Sequence, residues 1–533
     1  MQSRLPLSLS LLLSLFLSLF LSFSALQAAT LTGNISNVAT GNLLEGAQVA
    51  VPSLGLSTFT DNTGRYVLPS LPAGSHEVVV TYLGLDSVRA TVSVSDAAPA
   101  SRNFDLTSVV YKLEAFKVSG EREGGAAAIT AQRNAPNHTN VVSMDSFGNL
   151  PNMSAGEVLM RLPGVAGSPT DEGLAYNFNI RGMGAGLNTI TIDGGLVTSL
   201  GTSRAFEMQS ISGALFDQLE LVKGHRPDKN ADSLGGTVNL KSRSTLSMKE
   251  KRRMTYSFSS RIAPSFTDQI PLREKHSAHP LLSFGYQEVF DVFGEKRNLG
   301  VNVNIFYSEN AVGFHQTDRD YQNTTTQPAY VWSYQTFDNI NNRTQASVNI
   351  KTDYRLSANT KMSVNATAND NNEQFRRRYI TRAYSTQTQN TVPSETTSVV
   401  PGFTDKITTI RPVATSLIEM QNRGPNNYAV RMRRLDLAAE QDFGPLQIDY
   451  AAYYARTNLN NGNGQGGELT HRLVGAGWIL DTSKSLLHPS FIQNGGPDFT
   501  NPANYRPTGQ LLNSDGQNDQ RVREARFNVQ YKL

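Results

Sequence analysis

Residues 178–195 read F-N-I-R-G-M-G-A-G-L-N-T-I-T-I-D-G-G. Thr189-Ile190-Thr191-Ile192 alternates polar and apolar residues at a period of two, the mark of a strand, and Asp193-Gly194-Gly195 then turns the chain. Gly182-Met183-Gly184-Ala185-Gly186 has the spelling of a dinucleotide loop. Such a loop must open a helix and have an acidic residue about 20 positions on. A strand follows instead, so the nucleotide reading is set aside.

Upstream, Ala155, Val158, Leu159 and Leu162 fall at helical spacing over Ser154–Leu162, closed by Pro163-Gly164-Val165. Downstream, Phe216–Gly224 reads as a strand, and Ala231–Lys241 carries Gly235-Gly236-Thr237-Val238-Asn239-Leu240. Gly182, Gly194, Gly224, Gly235 and Gly236 permit positive φ or close backbone approach in a tight globule. Arg181 and Glu220 are candidates for buried or wall-facing ion pairs, whose desolvation cost makes an interface reversible.

Taken in order, these elements resemble the plug domain of TonB-dependent outer-membrane receptors. The family order is L-P-G-V after a helix, then I-R-G, I-D-G, E-x-V-K-G and G-G-x-V-N-L. The matching positions are Arg181 and Gly182; Asp193 and Gly194; Glu220, Lys223 and Gly224; and Gly235, Gly236 and Asn239. The variant over Pro227–Gly236 resembles a subgroup whose members often handle carbohydrates. The resemblance implies a mainly β protein: a small β-sandwich, an α+β plug, then part of an antiparallel transmembrane β-barrel. It implies as partners the inner-membrane TonB complex, the outer-membrane lipid and a small ligand such as a saccharide or iron chelate. It places a TonB box on Leu113, Glu114, Ala115, Phe116, Lys117, Val118 and Ser119, a spelling that departs from the commonest boxes. Ligand contacts are expected at the plug apex, at Met183, Leu187, Asn188, Thr198 and Arg204.

The flanks fit that frame. Arg4, the Leu/Ser/Phe run Leu5–Phe23 and Ala25-Leu26-Gln27-Ala28-Ala29 have the form of a signal peptide over residues 1–28. A signal anchor is the competing reading; Ser interrupts the run and no basic stop follows. Residues 29–108 alternate in short strands around the turns Asp61-Asn62-Thr63-Gly64 and Leu71-Pro72-Ala73-Gly74, and resemble the carboxypeptidase-regulatory-like sandwich. There Asp61 and Gly64 shape a turn. Residues 109–135 read as a flexible linker holding the box, and 136–245 as the plug.

From 246 to 533, eight segments alternate: Met254–Ile262, Leu281–Phe290, Leu299–Tyr307, Ser347–Tyr354, Lys361–Ala368, Met432–Phe443, Leu446–Arg456 and Ala525–Leu533. Their connections alternate short (Asp291–Asn298, Arg355–Thr360, Gly444-Pro445) and long (about 263–280, 308–346, 369–431 and 457–524). Outer-membrane barrels show this asymmetry. Family barrels have about 22 strands, and an eight-stranded one has room only for side chains. The expectation is therefore an N-terminal fragment of a receptor.

Composition excludes other classes. The 533 residues carry a net charge of +3, so no nucleic-acid field is present, and with no Cys there is no disulfide scaffold, thiolate site or Cys nucleophile. No His-x-x-Glu zinc pair or Gly-x-Ser-x-Gly elbow supports an exported hydrolase. No catalytic, cofactor-binding or metal residues are assigned, and no enzyme is expected. A receptor that binds or signals without importing is the main alternative.

Overall fold

Period-two alternation in the first hundred residues becomes two packed sheets. One holds Arg65–Leu68, Leu31–Asn37, Ala100–Ser101 and Phe104–Leu106; the other holds Leu56–Phe59, Gln48–Val51, Gly74–Thr81 and Val88–Val94. Leu31, Ile35, Val49, Val51, Tyr66, Val78 and Val80 fill the core between them. Asp61 Oδ1 accepts from the amides of Thr63 (2.8 Å) and Arg65 (3.0 Å), and Gly64 follows at φ 69°, so these residues do shape the turn.

The computed structural model describes residues 30–531 except 40, 70, 96–99, 108–120, 136, 145–153, 170–174, 198–204, 209–210, 225–232, 243, 249, 263–276, 387, 424–425, 463–467 and 514. The signal segment, the box Leu113–Ser119, Thr198 and Arg204 lie outside the described residues.

The linker expectation needs a correction. Glu121–Asn134 is an α-helix, because Ala126-Ala127-Ala128 favours helix more than its flanking glycines oppose it. Ala128 and Thr130 are buried, and Gln132 Oε1 accepts from the Val141 amide at 3.1 Å, so the helix is docked to the plug.

The plug is a five-stranded mixed sheet in the order Gly195–Leu196, Asn188–Ile192, Gly236–Lys241, Gln218–Val222, Thr139–Ser143. Asn188–Ile192 runs parallel to Gly236–Lys241. The helix Ala155–Leu159 is shorter than the sequence implies, and Ser154 caps it by accepting from the Glu157 amide at 3.3 Å. Its buried face packs with Ile180, Ile192, Leu219, Leu221, Val238 and Leu240.

The rest is an antiparallel sheet with eight long strands: Arg252–Ile262, Ala278–Val292, Glu295–Tyr321, Val331–Arg355, Thr360–Tyr384, Asn426–Asp442, Leu446–Gly462 and Asp515–Tyr531; six contain the expected segments whole, Met432–Phe443 overruns its strand by one residue, and Ala525–Leu533 ends outside the described residues. Tyr256, Phe284, Ile305 and Val348 stand opposite one another across four strands and are exposed, which is the outward apolar band of a membrane barrel. The short turns lie where expected, but the first is tighter than Asp291–Asn298: Phe293-Gly294 closes it in two residues with φ 53° and 84°.

The long connections are not loops throughout. Residues 308–321 and 331–346 continue their strands, leaving only 322–330 as the turn. Glu295–Tyr321 has 27 residues, where crossing a membrane takes about 9–11. In the extension 331–346 Val331, Tyr334 and Phe337 are buried, so that strand is packed there while the hydrogen-bond ladder continues. Ile407–Ile410, Gly477–Asp481 and Ser490–Gly495 make a further small sheet over a shared core of Tyr330, Trp478 and Tyr505. Among the described residues the long-strand sheet is open: Arg252–Ile262 and Asp515–Tyr531 each pair on one side.

Candidate functional site: a polar latch between plug and wall

The latch begins with a hairpin. Thr191 opposes Leu196 and Ile192 opposes Gly195, so Asp193-Gly194 is a two-residue loop, with φ 47° and 84°. Asp-Gly suits a turn with both central residues left-handed. The loop is tied to its own sheet. Asn239 Oδ1 accepts from the Gly194 amide (2.9 Å) and Thr191 Oγ1 (2.9 Å), while its Nδ2 donates to Glu220 (3.0 Å). Glu220 also pairs with Lys241 at 2.7 Å. Register explains this: Glu220, Asn239 and Thr191 stand opposite one another on three adjacent strands. Three separated motifs thus make one hydrogen-bonded row.

The loop reaches the wall at one level of the barrel. Gln287, Asn302, Lys351, Asn365, Asp436, Tyr453 and Glu524 are consecutive cross-strand partners. Asp193 Oδ2 accepts from Asn365 Nδ2 (3.0 Å) and faces Lys351 Nζ at 3.7 Å; Oδ1 accepts from the Ser242 amide (2.9 Å). Lys351 also donates to Ser242 Oγ at 2.8 Å. Tyr453 Oη donates to the Asp193 carbonyl (3.1 Å), and Glu524 accepts from the Leu196 amide (3.0 Å). Arg434, fully buried, donates to the carbonyls of Ile192 (2.9 Å) and Leu196 (2.6 Å), and its Nε bonds Asp436.

Burial opposes ionisation of Asp193, but Lys351, the Ser242 bonds and Arg434 outweigh it and hold its carboxyl below the usual value. Gly195 has no substitute here: a Cβ would lie 2.3 Å from the Tyr453 ring and 2.4 Å from Arg434 Nη2. A second tie lies apart from this row, where Tyr428 Oη donates to the Glu207 carboxylate at 2.9 Å.

The other expected positions divide by place. Gly235 faces Asn188: a Cβ would lie 2.1 Å from Asn188 Oδ1. Asn188 is buried, and its amide donates to the carbonyls of Phe178, Met183 and Gly184 at 3.1–3.2 Å, holding its own loop. Leu187 is exposed and Met183 half-buried at the opposite end of the sheet from Asp193. Glu220 is in an ion pair, but Arg181 is exposed. Arg181-Gly182 is instead a left-handed turn (φ 52° and 79°) bridged by Ile180 and Met183. Lys223 is buried beside it, and desolvation together with the Arg181 charge lowers its pKa. Gly224 takes φ 116°, and Gly236 sits where a Cβ would be 2.7 Å from the Val222 carbonyl.

Sequence reading missed Lys351, Asn365, Arg434, Asp436, Tyr453 and Glu524. Their signal was charge and amide at the inward positions of alternating strands, a face that any channel lining would also make polar.

A mixed-sheet plug bonded to the inner face of a lipid-banded antiparallel sheet defines a plugged membrane barrel. Residues 131–237 match the TonB-dependent receptor plug domain and residues 30–107 the carboxypeptidase regulatory-like domain. By these two domains the chain is similar to TonB-dependent receptors. Solved structures with similar chains include a ferric enterobactin receptor mutant from Pseudomonas aeruginosa (10% identity, 67% of this chain and 59% of that one, TM-score 0.33). Others are the ferric preacinetobactin receptor from Acinetobacter baumannii (11%, 74% and 60%, 0.32) and an unliganded ferric citrate transporter (11%, 77% and 62%, 0.29). The chain thus spans 59–62% of the length of these three. The comparison with curated proteins found no match.

Proposed function

We propose that this chain is the N-terminal part of an outer-membrane receptor for energised uptake of a scarce nutrient, such as a saccharide or an iron chelate. The observation that carries the reading is the latch. Plug and wall meet at Asp193 through ion pairs and hydrogen bonds, which a pull can break one after another and which re-form without error. The TonB complex would capture Leu113–Ser119, between the sandwich and the docked helix Glu121–Asn134. Ligand would contact Met183 and Leu187 at the apex, with Thr198 and Arg204. The open sheet supports further strands completing the wall.

Deletion of Leu113–Ser119 tests the reading in cells supplied with a panel of labelled oligosaccharides and ferric chelates. A probe that still binds the surface but is no longer accumulated supports it. Undiminished accumulation refutes the box. Binding without accumulation by the intact chain favours the non-importing receptor.

A further inference from the structure

The sandwich does not hang free of the barrel. Its turn Asp61–Gly64 and its loop around Asn42 seat on the short-turn end of the wall. Arg355 Nη2 donates to Thr63 Oγ1, Lys361 Nζ to Asn62 Oδ1 and Arg253 Nη2 to Asn42 Oδ1, each at 2.6 Å. The Leu43 amide donates to the carbonyl of Ser247, in the connector between plug and wall, at 2.8 Å. Pro69 packs on Gly444, where a Cβ would approach its ring to 2.4 Å. The same loop also reaches the plug: Glu45 lies in the field of Lys241, and Gly46 packs against Thr130 of the helix Glu121–Asn134.

We propose that the sandwich is a brace that ties plug to wall across the mouth at the short-turn end, and that its undocking is a step separate from release of the Asp193 latch. Three features support this. The sandwich touches wall, connector and plug together. Apart from Pro69 on Gly444, its contacts with the wall are single polar bonds, and those of Arg355 and Lys361 border a cavity of about 290 Å3 also lined by Asp61, Arg65, Glu440 and Asp449, so the seat has room for water and is separable. The segment leading from sandwich to plug joins two docked elements, so tension on it loads the brace and the plug at once. The brace goes beyond the transport reading, and its test requires neither ligand nor energising partner.

The test is amide hydrogen exchange on the full chain in nanodiscs, with Asn42→Ala, Asn62→Ala and Thr63→Val combined. All three changes lie in the sandwich. The Leu43 amide reports docking, and Gly74–Thr81 reports that the sandwich is folded. The expected result is loss of Leu43 protection and exchange about tenfold or more faster in Gln218–Val222 and Gly236–Lys241, with Gly74–Thr81 still protected. Unchanged plug exchange overturns the brace, whether Leu43 opens (the seat does not hold the plug) or stays closed (these bonds do not hold the seat). Should Gly74–Thr81 itself open, Arg253→Ala with Arg355→Ala makes the same cut from the wall side. Leu43→Cys with Ser247→Cys, in a chain that has no other Cys, then staples the seat. Added to the triple variant, it should restore plug protection when oxidised and not when reduced; equal exchange in both states refutes the proposal.

Discussion

Asp193→Asn is the sharpest test of the latch. Every group facing the carboxylate is a donor: the Ser242 amide and hydroxyl, Asn365 Nδ2 and Lys351 Nζ. Asparagine keeps the shape but has one acceptor oxygen, so its NH2 must face donors on one side. It also leaves Lys351, which is buried, without the plug carboxylate, so that only the neutral oxygens of Ser242 face it from the plug. Breaking a buried pair from one side costs about 3–5 kcal/mol. Asp193 is only partly buried and Asp436 also lies near Lys351, so the lower end applies: about 3 kcal/mol, or roughly 100-fold in the opening constant. Tryptophan fluorescence is blind to this event, because both tryptophans, Trp332 and Trp478, lie in the outer extensions. The assay is therefore amide exchange of Asn188–Ile192 and Gly236–Lys241, with Ala278–Val292 as the unaffected reference. Adding Lys351→Met removes the stranded charge, and the double variant should recover about 1–2 kcal/mol relative to the sum of the singles. The sign with pH is fixed. The folded pKa lies below the ordinary 3.8, so the stabilisation is present above 3.8 and is lost as pH falls through the folded value. The gap between wild type and Asp193→Asn should close in that acid window alone. A change under about threefold, or strict additivity with Lys351→Met, refutes the latch.

Other outcomes follow from the same geometry. Arg434→Lys cannot span the carbonyls of Ile192 and Leu196 together, so exchange of the Leu196 amide should rise, about tenfold for one lost charged hydrogen bond. Gly195→Ala drives a methyl into Tyr453 and Arg434 and should lower plug unfolding in a urea titration by about 1–3 kcal/mol, with Tyr453→Ala restoring part of it. Glu45 tests the brace by pH. Burial raises its pKa, Lys241 opposes, and Asp217, Glu220 and Asp61 raise it further. Its contribution is thus present below 4.5 and lost as pH rises through the folded value. Glu45→Gln should increase Leu43 protection at neutral pH and leave it unchanged in acid.

Much of this was legible in the residues because local rules and global fold agree. Asp193-Gly194 names a turn, the spacing of Ala155, Val158 and Leu159 names a helix, and alternation with unequal connections names the wall. Legibility ended where the deciding force was not local. Ala126–Ala128 marked a helix, but neighbouring glycines masked it until docking on the plug decided the matter. Strand ends beyond about 307 and before 347 were invisible because the period of two is lost there: the buried Val331, Tyr334 and Phe337 fall three residues apart. Asn188 read as a ligand-facing amide, yet its neighbours are carbonyls of its own loop. The wall half of the latch was least visible: Lys351 and Arg434 differ from ordinary lumen residues only in the level they occupy, and level is a property of cross-strand register.

Register also decides whether latch and brace are one device or two. The latch gathers Lys351, Asn365, Tyr453 and Glu524 from a single cross-strand row, whereas the brace uses Arg253, Arg355 and Lys361 at the strand ends. No side chain belongs to both sets of bonds. Unconnected sites add within about 0.5 kcal/mol, a factor of two to three in exchange. Asp193→Asn combined with Asn42→Ala, Asn62→Ala and Thr63→Val should therefore accelerate plug exchange by the product of the two separate effects. A combined effect equal to the larger single one would mean that opening one releases the other, and the plug would then leave in a single step.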